Sequence, residues 1–131
     1  MAQGIILVID DEADVREVIR LNLEKAGFNV MEAKDGQEGI DILKSGANMI
    51  NTGAILCDVR MPNVNGVEAI DYFKREAPGI PIVVITGYPD TELAVSFLQK
   101  GVKDYLVKPV EKEKLLSVVQ GAVAAGKDFD F

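Results

Sequence analysis

Five short apolar runs, each followed by a segment of helical periodicity, leave this chain few folds to choose from. The runs are Ile5 to Ile9, Phe28 to Ala33, Ala54 to Asp58, Pro81 to Ile85 and Val102 to Val107. Between them no two-residue Asn-Gly or Gly-rich hairpin signal joins neighbouring runs, so the strands cannot pair as an antiparallel meander. Strand and helix alternating along the whole chain imply an α/β protein, with a parallel sheet covered by helices on both faces through right-handed crossovers. The central run, Ala54-Ile55-Leu56-Cys57 ended by Asp58, is apolar at every position, as expected of a strand buried on both faces. Its tip delivers a carboxylate to the sheet edge.

The helical segments are equally legible. Val15, Val18, Ile19, Leu23 and Ala26 recur at helical spacing and Gly27 stops the pattern. Asp35 with Glu38 three residues on is a capping-box-like start for a helix through about Leu43. Val67, Ile70, Tyr72, Phe73 and Ala77 predict a third helix ended by Pro78 and Gly79. Asp90 is placed as the N-cap of a fourth through Lys100, with Gly101 beyond it, and a fifth runs from about Glu111 to Ala125. The connection from Ser45 to Gly53 has two readings: Met49 and Ile50 dock on the core, or the second helix continues past Gly46.

A chain of 131 residues fits one domain; residues 1–125 are assigned to it and 126–131 to a tail or the start of a linker. No apolar segment approaches the roughly 20 residues needed to span a bilayer, and residues 1–4 lack the features of a secretory signal, so a cytoplasmic location is expected. A net charge of −7 leaves no basic stripe for phosphate neutralisation and argues against direct nucleic-acid binding. Histidine is absent, which removes Ser-His-Asp catalysis and imidazole metal sites. The single cysteine, Cys57, sits inside an apolar run and reads as core filler, with a redox role the alternative.

Parallel strands end on a common edge, so the polar residues that terminate them converge there. They are Asp10, Asp11, Asp58, Thr86 and Lys108. Gathered carboxylates repel one another unless a cation intervenes, and an all-oxygen donor set without His or Cys favours Mg²⁺, with Mn²⁺ as a substitute. With an ammonium from Lys108 and a hydroxyl from Thr86, the set describes a place where Asp58 could attack phosphorus. Taken singly, each group also has an ordinary structural role: Asp10 and Asp11 can cap a helix, Asp58 and Thr86 can be turn residues, and Lys108 can lie over the core edge.

The motifs Val8-Ile9-Asp10-Asp11-Glu12, Leu56-Cys57-Asp58-Val59-Arg60-Met61-Pro62 with Gly66, Ile85-Thr86-Gly87 and Asp104-Tyr105-Leu106-Val107-Lys108-Pro109 are similar to those of response-regulator receiver domains of two-component signalling, the chemotaxis-regulator-like family. The resemblance runs from about Ile5 to Val123. It implies a flavodoxin-like receiver fold, a doubly wound five-stranded parallel sheet in the order 2-1-3-4-5. It further implies that Asp58 is the phosphoacceptor, charged from a phosphohistidine on a sensor histidine kinase or histidine phosphotransfer protein.

By the same resemblance Asp11 and Asp58 ligate Mg²⁺ through side chains, Arg60 through its backbone carbonyl, and Asp10 through water. Lys108 pairs with Asp58, next to a Lys108–Pro109 bond that is typically cis in the family. Thr86 and Tyr105 form a switch pair, with core packing the structural alternative for Tyr105. Arg60 and Tyr88 stand where the family sets the phosphoryl lifetime, and their bulk predicts slow self-hydrolysis. The fourth helix carries Leu93, Ala94, Val95, Phe97 and Leu98, more apolar positions than one inward stripe needs. With the fifth strand and fifth helix it makes the family's output face, for an effector or for self-association. Two other classes stand beside this reading: a receiver-like docking module that is never phosphorylated, and a small Mg²⁺-dependent phosphohydrolase with an aspartyl-phosphate intermediate. The hydrolase wants a general acid two residues past the nucleophile, where this chain has Arg60.

Overall fold

Because side chains alternate across a strand, a run that is apolar at every position must be covered on both faces, and the sheet here is. The computed structural model describes residues 4–59, 66–87 and 91–127. Among them the elements are β1 (Ile5–Ile9), α1 (Ala13–Lys25), β2 (Asn29–Ala33), α2 (Gly36–Lys44), α3 (Asn48–Asn51), β3 (Thr52–Asp58), α4 (Gly66–Glu76), β4 (Ile82–Thr86), α5 (Thr91–Gln99), β5 (Asp104–Val107) and α6 (Lys112–Lys127). The five strands form one sheet in the order β2-β1-β3-β4-β5, with every pairing parallel. This is the doubly wound, flavodoxin-like arrangement expected.

Alternation divides the core in two. Leu7, Ile9, Ile55, Cys57, Ile82 and Val84 face α2, α4 and α5, where Leu43, Ile70, Phe73 and Phe97 meet them. Ile6, Val8, Leu56, Val83 and Ile85 face α1 and α6, against Ile19, Leu23, Leu115, Val119 and Ala122. Cys57 is fully buried in the first cluster, and burial, reinforced by the nearby Asp58 and Asp10 charges, pushes its thiol well above the usual range. That suits the core-filling reading and leaves little thiolate for redox chemistry.

Two strands start later than their apolar runs, for the same reason. After α1, Gly27 takes φ +97°; its N–H donates to Glu24 O at 3.0 Å and that of Phe28 to Leu23 O at 3.1 Å. Beyond α5, Gly101 takes φ +93°, with Gly101 N–H to Leu98 O at 3.0 Å and Val102 N–H to Phe97 O at 3.1 Å. Both are Schellman closures, in which the residue after the glycine packs on the last helical turn. Phe28 and Val102 are therefore buried as helix stops, and β2 and β5 begin after them.

The Ser45–Gly53 connection takes a third form. Gly46 adopts φ +55° and breaks α2, and the separate single turn α3 follows. Met49 packs against the first core cluster, whereas Ile50 is 88% exposed; docking holds for Met49 and fails for Ile50. Strand β3 then starts at Thr52, earlier than the apolar run suggested. Asp35 caps α2, its Oδ1 accepting from Glu38 N–H at 2.8 Å. The return bond to Glu38 comes from Lys34 N–H at 3.1 Å, one residue before the position a capping box uses. At the far end α6 continues through Lys127. The expected N-cap Asp90 and the tail residues Phe129 and Phe131 lie outside the described residues.

Candidate functional site

The C-terminal ends of the strands are held in register by backbone bonds just beyond the ladders. Asp10 N–H donates to Ala33 O at 3.0 Å, Val59 N–H to Ile85 O at 3.3 Å and Lys108 N–H to Thr86 O at 2.8 Å. Asp10, Asp58, Thr86 and Lys108 are thereby fixed at one edge, as expected. The Lys108 to Pro109 bond is cis.

Lys108 is the centre of charge. Its Nζ lies 3.0 Å from Asp58 Oδ2, 2.9 Å from Asp10 Oδ2 and 2.6 Å from Glu12 Oε1. Burial alone would lower this ammonium's pKa, but the bonds to Glu12, Asp10 and Asp58 outweigh it and hold Lys108 above its usual range. It is a permanent cation at any working pH. Glu12 belongs to the Val8 to Glu12 motif, but its contact with Lys108 spans 96 residues of sequence and has no local signal.

Asp10 is fully buried. Burial raises its pKa to about 6, with the Asp58 charge adding to the rise and the Glu12 amide and Lys108 opposing it. One oxygen, Oδ1, accepts from Glu12 N–H at 2.9 Å. The other, Oδ2, is close to Lys108 as an ion pair yet has no partner in hydrogen-bond geometry. Held by one amide and one ammonium, this buried carboxylate keeps acceptor capacity for a further cation.

Asp10, Asp11, Glu12 and Asp58 each offer an oxygen, and these four atoms lie within 4.8 Å of one another. Hard oxygen donors of this kind fit Mg²⁺ or Mn²⁺. Asp11 is exposed, so it opens the cluster to solvent. Arg60, named for its carbonyl and its side chain, and Tyr88 lie outside the described residues.

Thr86 and Tyr105 do not meet the acids in the same way. In β4 and β5, Val84 pairs with Tyr105 and Thr86 with Val107. Period two puts Thr86 on the face of Val84, and Tyr105 opposite the face of Leu106, so the hydroxyl and the ring share one side of the sheet on adjacent strands. Thr86 is buried, while Tyr105 is 37% exposed and so is not core packing.

One residue that composition could not single out supports the acidic turn. Arg16 Nη1 donates to the Asp10 backbone carbonyl, and Arg16 Nε bonds Glu32 Oε1 on β2 at 3.3 Å. In the sequence Arg16 is only one of several charged residues on the outer face of α1.

Comparison with known proteins gives a consistent answer. A family model described as the response regulator receiver domain matches residues 6–120. The transcriptional regulatory protein FixJ of Bradyrhizobium diazoefficiens is 35% identical over 92% of this chain and 57% of its own length. The DNA-binding transcriptional regulator NtrC of Escherichia coli is 31% identical over 95% of this chain and 26% of its own. The chain thus spans little more than half of the first of these curated relatives and about a quarter of the second. Among solved structures, a response regulator receiver domain protein from Clostridium thermocellum superposes with a TM-score of 0.86 at 29% identity, covering 95% of this chain and 97% of that one.

Proposed function

The chain belongs to the response regulator receiver domain family, and from that membership we propose that it is a phosphorylation-dependent signalling switch whose acceptor is Asp58. The observation that carries this reading is the Lys108 ammonium held 3.0 Å from Asp58 Oδ2 and 2.9 Å from the buried Asp10 Oδ2. A carboxylate nucleophile needs cationic neighbours when its target is an anionic phosphoryl group.

In the proposed reaction an Asp58 carboxylate oxygen attacks the phosphorus of a phosphohistidine on a sensor kinase or phosphotransfer protein. The new O–P bond forms as the P–N bond breaks, and the imidazole leaves with the bonding pair. Lys108 stays charged throughout and is free to move from Asp58 to the transferred group. Asp11, Asp58 and the Arg60 carbonyl would hold Mg²⁺, with Asp10 acting through water. The ion supplies charge neutralisation of the phosphoryl oxygens. The domain is regulatory, and its own catalysis would be limited to accepting the group and slowly losing it. Bulk at Arg60 and Tyr88 is proposed to retard that loss, so Arg60→Ala and Tyr88→Ala phosphoproteins should shed phosphate faster than the parent.

The proposed signal leaves through the face of α5, β5 and α6, the fourth and fifth helices of the sequence reading being α5 and α6. Val95 and Leu98 on α5 are each 47% exposed, and Val107 on β5 is 39% exposed. Those apolar positions suit an effector or a second copy of the chain. No helix among the described residues is long and apolar enough to cross a membrane; a cytoplasmic setting, where sensor kinases present phosphohistidine, is part of the proposal.

Intact-mass measurement after incubation with Mg²⁺ and acetyl phosphate tests the reading. A labile gain of one phosphoryl group, absent in Asp58→Ala, is expected. No gain under conditions that charge a control receiver would favour a docking module, and sustained phosphate release over many turnovers would favour a hydrolase.

A further inference from the structure

We propose that Arg16 is a positioning residue that sets the affinity of the acidic edge for its divalent cation by clamping the turn that carries Asp11, an inference that rests on the receiver reading above.

The turn from Asp10 to Glu12 is held at its Asp10 end by the Arg16 side chain and at its Glu12 end by the first backbone bond of α1. The Arg16 guanidinium donates to the Asp10 carbonyl, and its own backbone N–H donates to Glu12 O at 3.1 Å. Asp11 directly follows the carbonyl that the guanidinium holds, so losing that side chain would free the backbone that aims an exposed ligand. The grip is itself anchored. Glu32 on β2 receives Arg16 Nε at 3.3 Å and, on its other oxygen, Arg20 Nε at 3.1 Å. With only 17% of its side chain exposed, Arg16 is too confined to be a freely solvated surface charge.

Two physical effects predict opposite signs when this residue is removed. If Arg16 mattered only as a positive charge near the site, its loss would reduce repulsion and tighten cation binding. If it holds the turn, its loss leaves Asp11 to be ordered by the cation, and binding weakens. Groups that orient ligands without touching the metal typically cost 10–100-fold in affinity when lost. Lysine separates the two further: it keeps the charge but cannot reach the carbonyl and Glu32 together, because it lacks the planar fork.

The experiment is Mn²⁺ binding to the full chain, read from the free-ion electron paramagnetic resonance signal. The wild type, Arg16→Ala, Arg16→Lys and Asp58→Ala are compared, and thermal unfolding of each metal-free protein serves as the fold control. Arg16→Ala is expected to weaken Mn²⁺ about tenfold and Arg16→Lys by a smaller factor. Phosphorylation by acetyl phosphate should shift in its half-saturating metal concentration and keep its rate at saturating metal. Unchanged or tighter Mn²⁺ binding in both Arg16 variants overturns the inference and leaves the receiver reading standing. A wild type that binds no Mn²⁺ overturns the metal site, and this inference with it.

Discussion

At the scale of single residues, Asp10 is where the fold stores electrostatic tension. Its carboxyl titrates at about 6 where an ordinary aspartate titrates at 3.8, so between those values the folded chain binds a proton that the unfolded chain has released. Folding stability must then fall as pH rises through that window, because the slope follows the difference in bound protons. Asp10→Asn should flatten this part of the profile, measurable by urea titration of metal-free protein at several pH values between 4 and 7. A slope that survives the substitution would place the tension elsewhere. The same shift has a consequence for the proposed metal. A divalent cation needs the ionised carboxylate, so proton and cation compete at Asp10. Apparent Mg²⁺ affinity should drop as pH falls below about 6 and level off above it, and calorimetry near pH 6 in buffers of different ionisation heat should detect proton release on binding. Lys108 contributes no break in this range, since its ammonium is held above its usual range.

At the scale of elements, the two Schellman closures do as much as the apolar runs to place the strands. Gly101 supplies a backbone conformation at φ +93° that an L side chain adopts with difficulty, and an added Cβ there would come 3.2 Å from Cε and Nζ of Lys74. The lysine end can swing away, so the left-handed backbone is the main cost. Gly101→Ala should destabilise the protein by about 1–2 kcal/mol in chemical denaturation, with Mg²⁺ affinity unchanged because the stop lies at the opposite end of β5 from Lys108. A loss of metal affinity would mean that β5 moves as a unit. These closures also show which parts of the chain could be read from its sequence. The three inner strands were legible because burial on both faces demands nearly unbroken apolar runs, the edge strands β2 and β5 because helical segments flank them, and strand-ending residues in a parallel sheet have only one edge to occupy. Phe28 and Val102 misled because the apolar character that suits a strand suits equally the residue closing a helix. The single turn at Asn48 to Asn51 is too short to carry a period. Glu12 and Arg16 were missed as site residues because their partners, Lys108 and Glu32, are brought near only by the fold; the carboxylates and lysine at strand ends needed no such knowledge.

For the whole molecule, the central fact is that the candidate reaction edge and the candidate output face meet at β5, with β4 as its neighbour on the reaction side. Thr86 ends β4 within the site, and one strand over Tyr105 is 37% exposed on the same side of the sheet. A phosphoryl group on Asp58 would add charge and hydrogen-bond acceptors beside the Thr86 hydroxyl. It can shift the protein between two states only by the difference in its interaction with them. If Thr86 reads the phosphoryl group and Tyr105 moves into the space it leaves, the ring should become less exposed on phosphorylation. The chain has no tryptophan and three tyrosines, so tyrosine emission can report this, with Tyr72→Phe and Tyr88→Phe assigning the signal to Tyr105. Thr86→Ala is expected to accept phosphate from acetyl phosphate at near the parent rate while the emission change is lost. An emission change that persists in Thr86→Ala would remove the hydroxyl from the coupling. Loss of phosphate incorporation in the same variant would instead make Thr86 part of the acceptor chemistry. The distinction matters because exposed Val107 lies two residues from Tyr105 on the same side of the sheet, so a motion of Tyr105 changes the shape of the surface a partner would meet, whereas an event confined to Asp58 and Lys108 would stay at the strand ends.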